Sequence, residues 1–186
     1  MNCITVQEFI DALPEMLRDQ TELYAVFLTY KEVAGHKNGP VDTGKPGLNI
    51  SVHNGFLAYS PISPDFVIST EDMEKQALVA QVAAESDSQD TLKELRGNNL
   101  MFVIYLGLVA FDQALENALQ IRQDFPNAKI ITVTCDCDDT RKKKALAPLF
   151  EQGLINFVIM DYACGGIGSM RNILHALIDA WPNQNT

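Results

Sequence analysis

Apolar and polar positions along the chain change period several times, and each change marks an expected element. Thr5 and Glu8 stand at capping-box spacing, with Ile4 and Phe9 placed to form a hydrophobic staple, so a helix is expected from about Val6. Phe9, Leu13, Met16 and Leu17 fall on one face of it, and Pro14 should kink it or start a second helix. Leu23 to Tyr30 is apolar enough for a buried strand and runs into a Gly- and Pro-rich loop from Gly35 to Gly47. Asn49 to Val52 and Phe56 to Ser60 flank Asn54-Gly55, which predicts a hairpin, because a tight primed turn needs positive φ at both central residues. Phe66 to Ile68 reads as a further short strand. Ser69 or Thr70 then caps a helix to about Ala84, with Glu71 and Asp72 in its first turn.

From Glu71 to Glu94 seven acids oppose two lysines, and Glu85 to Asn99 reads as a polar surface connection. After it the pattern becomes a regular alternation of apolar runs and amphipathic stretches. Leu100 to Leu106, Lys129 to Thr134 and Phe157 to Met160 are expected strands. The first intervening helix carries Phe111, Leu115, Ala118 and Leu119 at helical spacing, with Asp112 as cap and Pro126-Asn127 closing it. Asp139 or Thr140 caps the second, and Gly153 stands where a helix end takes a left-handed residue. Ile167, Met170, Leu174, Leu177, Ile178 and Trp181 form the stripe of the last.

Strands apolar throughout and alternating with helices indicate a parallel sheet covered on both faces. The expected fold is therefore a single α/β domain, a Rossmann-like or flavodoxin-like three-layer sandwich. Its parallel β-α units occupy residues 99–186, and residues 1–98 add a helix and antiparallel strands that extend the same sheet. Two separate domains are the alternative.

Composition narrows the function. Apolar residues make up 47% of the 186 and charged residues 20%, as in a globular chain. Fourteen basic against twenty-four acidic residues leave a net charge of -10, which argues against nucleic acid and anionic membranes as partners. Arg141-Lys142-Lys143-Lys144 is read as the solvated face of a helix, with an anion-binding patch as the alternative. No stretch approaches the roughly 18 apolar residues of a membrane span, and the opening Met-Asn-Cys-Ile-Thr-Val-Gln-Glu lacks the pattern of a signal peptide. Cys3, Cys135, Cys137 and Cys164 are too few and too unevenly spread for a disulfide framework, so a reducing cytoplasm is expected.

Gly39-Pro-Val-Asp-Thr-Gly44-Lys45-Pro46 matches the core of a phosphate-binding loop, but Pro46 stands where a Mg²⁺-ligating Ser or Thr should be, and Pro46-Gly47 leads into a strand. A hairpin loop is the preferred reading. In open α/β sheets ligands bind beyond the carboxyl ends of the strands. There the chain carries Gly107, the run Cys135-Asp136-Cys137-Asp138-Asp139, and Asp161-Tyr162-Ala163-Cys164-Gly165-Gly166. Asp136, Asp138 and Asp161 could hold Mg²⁺. Cys135, Cys137 and Cys164 are a weaker zinc set, since their spacing is wrong and no His is near. Cys164, at the start of the last helix, is a candidate thiol nucleophile with Asp161 beside it, although His175 is the nearest imidazole in sequence. Gly165, Gly166, Gly168 and Ser169 could cradle an anion, and close helix-to-strand packing is the competing account of the glycines. Asp138 and Asp139 as helix caps and the cysteines as small core residues are the preferred account of this cluster over a metal site.

The segment Ala118-Leu-Gln-Ile-Arg-Gln-Asp-Phe-Pro-Asn-Ala-Lys-Ile-Ile-Thr-Val-Thr134 resembles the third helix and fourth strand of a response-regulator receiver domain, a flavodoxin-like fold. The resemblance runs from about Leu100 to Ala180. It implies that Thr134 holds the hydroxyl position at the end of the fourth strand, and that Gly153 is the glycine before the fifth. The phosphotransfer groups are missing: Val103 to Gly107 offers no acceptor Asp, Met160 stands in place of the family's Lys, and the opening β-α pattern and acidic pair are absent. The resemblance thus implies a degenerate receiver that works without phosphorylation.

The preferred functional reading is a non-catalytic regulatory or interaction module that binds a partner protein or small ligand at the strand carboxyl edge, with a homodimer as the base-rate assembly. The alternative is a metal- or thiol-dependent enzyme acting on a small phosphorylated or anionic substrate. The sequence names no cofactor.

Overall fold

The computed structural model describes residues 3–29, 33–36, 38–53, 99–106, 111–134, 140–160 and 167–183. The expected hairpin at Asn54-Gly55, the strand at Phe66 to Ile68, the helix to Ala84 and nearly all of the polar connection lie outside them.

A short strand β1 (Ile4–Thr5) leads directly into helix α1 (Val6–Leu17). Its start is the expected capping box. Thr5 Oγ1 accepts from the Glu8 backbone N–H at 3.1 Å, and Glu8 Oε2 accepts from the Thr5 N–H at 2.6 Å. Phe9, Leu13 and Leu17 are buried and Met16 packs beside them. Pro14 starts no second helix: α1 contains it, with the ring on the solvent side.

Strands β2 (Leu23–Leu28), β3 (Asn38–Val41) and β4 (Leu48–His53) follow, and then β5 (Leu100–Leu106). Helix α2 (Phe111–Asp124), strand β6 (Lys129–Thr134), helix α3 (Thr140–Glu151), strand β7 (Phe157–Met160) and helix α4 (Ile167–Ala180) complete the described elements. The three C-terminal strands keep the bounds read from their apolar runs. Gly153 takes φ +70°, and Leu154 N–H reaches back to the Leu149 carbonyl at 2.8 Å, so α3 ends on the left-handed residue the sequence placed there.

All seven strands form one sheet in the order β1-β7-β6-β5-β2-β4-β3. Every neighbouring pair is parallel except β3 with β4. The inner order β4-β2-β5-β6-β7 is the 2-1-3-4-5 order of flavodoxin-like sheets, with β1 and β3 added at the edges. The fold is therefore α/β and Rossmann- or flavodoxin-like, with a mixed sheet.

Two expectations about the N-terminal half change. Both β2 and β4 run parallel to β5, so β3 is the one antiparallel strand among those described. β3 also lies inside the stretch expected to be loop, and it pairs with β4 from upstream, Pro40 opposite Ser51. Pro40 cannot donate to a ladder and is tolerated because β3 is an edge strand.

Register fixes which residues share a face. Phe102 pairs with Ile130, and Thr132, two residues on and on the same face, pairs with Val158, whereas Val103, Ile131 and Phe157 pair in line on the other face. Phe102 stacks at 5.4 Å on Phe125, one residue past α2, whereas Phe157 meets Phe9 of α1 edge-on at 5.5 Å. Accordingly α2 and α3 cover one face. α1 and α4, which pack against each other, cover the opposite one. No described helix is long and apolar enough to cross a membrane.

Candidate functional site

The carboxyl ends of the parallel strands form the edge to which an open α/β sheet brings its ligands. Its topology singles out β2 and β5. These neighbours send their chains in opposite directions: β2 connects through β3 to β4 on one side, and β5 through α2 to β6 on the other. In open α/β sheets such a divergence marks the place where ligands bind. Thr29, just past β2, is fully buried, and Tyr105, near the end of β5, is almost so.

One strand further, at the end of β6, stands the strongest polar feature among the described residues of this edge. Lys142, in the first turn of α3, is only 3% exposed, and its Nζ donates to Thr134 Oγ1 at 3.2 Å. Thr134 is itself fully buried. The ammonium lies 5.8 Å from the centre of the Phe111 ring at the start of α2, within cation–π range. An ammonium carries donors only, so Thr134 Oγ1 is the acceptor in this bond and its own proton is directed elsewhere.

Lys142 corrects the reading of the basic run as a solvated face. Arg141, Lys143 and Lys144 are exposed, but Lys142 turns inward on the stripe of buried Leu146 and half-buried Leu149. The spacing i, i+4, i+7 was the signal in the sequence that could have found it. Arg141 pairs with Asp112, tying the start of α3 to the start of α2, so Asp112 acts inside the first turn of α2.

Among the residues singled out from sequence, Cys135, Asp136, Cys137, Asp138, Asp139, Asp161, Cys164, Gly165 and Gly166 lie outside the described residues. Gly168 and Ser169 open α4, Gly168 exposed and Ser169 buried. A Cβ built on Gly168 meets nothing within 4 Å, so close packing does not account for this glycine. His175 is exposed on α4. Among the described residues no group of three His, Cys, Asp or Glu side chains is arranged to hold a metal.

The phosphate-loop match is resolved as a hairpin connection. Residues 42–47 join antiparallel β3 and β4 and start no helix. Thr43 Oγ1 accepts from Lys45 N–H at 3.1 Å and donates to the Leu48 carbonyl at 3.0 Å, while Asp42 accepts from Gly44 N–H at 3.1 Å. Lys45 Nζ donates to Asn183 Oδ1 at 2.9 Å, and the loop sits at the amino ends of β2 and β4, away from the ligand edge.

Comparison with protein-family models, curated proteins and solved structures finds no match.

Proposed function

We propose that the chain is a non-catalytic regulatory or interaction module that binds a small ligand or a partner protein at the carboxyl edge of its parallel strands. The observation that carries this reading is Lys142, buried against Thr134 at the end of an inner strand. Removing an ammonium from water costs several kcal/mol, roughly. A methionine would fill similar space without that cost. With Lys142 donating to it, Thr134 is a hydroxyl polarised to donate, suited to an oxygen-bearing or anionic group at the neighbouring ends of β2 and β5.

The receiver resemblance supports the same reading in its degenerate form. Thr134 holds the family's hydroxyl position, while β5 is Leu-Met-Phe-Val-Ile-Tyr-Leu and offers no carboxylate to phosphorylate. The ammonium beside the threonine comes from a helix, and Met160 ends β7 where the family has its lysine. A signalling role in the cytoplasm and a homodimeric assembly belong to this proposal.

Native mass spectrometry of protein purified without chelator tests it. The expected spectrum contains a small anionic adduct or a co-purifying protein that Thr134→Val loses. The proposal is overturned by a divalent-metal adduct that Asp161→Asn removes, accompanied by a hydrolase or transferase activity that Cys164→Ser abolishes at unchanged melting temperature.

A further inference from the structure

We draw no further inference here: the strongest candidate, the buried Lys142–Thr134 pair where the end of β6 meets the start of α3, belongs to the site already described.

Discussion

At the amino edge of the sheet, polar groups close the chain upon itself. Arg122 of α2 donates to the carbonyls of Leu154 at 3.0 Å and of Pro126 and Ala128 at 2.7 Å, and to Asn156 Oδ1 at 3.0 Å. The same Asn156 oxygen accepts from Ile130 N–H at 2.8 Å, so one guanidinium and one amide tie the entries of β6 and β7 together. Across the sheet, Trp181 Nε1–H donates to the Pro46 carbonyl at 2.9 Å and fastens the end of α4 to the β3–β4 loop. At the carboxyl edge the corresponding feature is an ammonium held under cover beside a threonine hydroxyl. Backbone carbonyls that would otherwise be orphaned explain the donors of the amino edge. The comparison sets an edge that secures the fold against the edge at which we propose that a ligand or partner binds.

The largest expected effect that tests this division is at Arg122. Burial pushes its guanidinium below the ordinary arginine value, and Arg122→Met would strand four acceptors in two chain segments. We expect a loss of about 3 kcal/mol in urea unfolding, since a hydrogen bond to a charged group contributes a net of roughly 1.5–3 kcal/mol and water can reach the more exposed of the vacated acceptors. A loss below about 1 kcal/mol would remove the structural role from the amino edge.

Gly47→Ala comes next. Gly47 has φ +78°, and a Cβ there would lie 2.2 Å from the Thr21 carbonyl oxygen. Backbone cannot give way as a flexible side chain can, so a cost of about 2–3 kcal/mol is expected, visible as a lowered melting temperature. Trp181, the chain's single tryptophan, reports on the same place by fluorescence.

At the carboxyl edge a smaller change is expected. The double variant Lys142→Met, Thr134→Val replaces both hydrogen-bonding partners by apolar groups of similar shape, and its stability should stay within about 1 kcal/mol of the parent. Loss of several kcal/mol in the same urea titration would make the pair a structural element and erase the contrast between the edges.

The smallest effect concerns acid. Hydrogen bonds from the Thr5 backbone and side chain hold the Glu8 carboxyl below its ordinary value. A carboxyl lowered in the folded state adds stability above its unfolded value, and this is lost as pH falls through the folded one. Glu8→Gln can keep the capping hydrogen bond but cannot titrate. Its stability should therefore decline less steeply on the acid side than that of the parent, and parallel acid profiles would contradict the assignment.

Much of this architecture was legible in the chain because its causes are local. The capping box at Thr5 and Glu8, the strand bounds at Leu100, Lys129 and Phe157, and the left-handed end of α3 at Gly153 each depend on a few consecutive residues. The site was less so. The thiols and carboxylates after β6 and β7 stand out in the sequence but lie outside the described residues, whereas the surrounding basic residues disguise Lys142 as solvated surface.

By itself, the sequence determined the alternation of apolar strands and amphipathic helices, and with it the α/β class, since periodicity and capping act over a few residues. Only the tertiary structure decided that β3 pairs with β4 from upstream, that β1 joins β7, and that the connections of β2 and β5 diverge. Those pairings join residues far apart in the chain, and hydrogen bonding alone permits many partners. The burial of Lys142 belongs to the same class: a lysine on a basic helix turns inward or outward according to what lies beneath it, and here that is Thr134 at the end of β6.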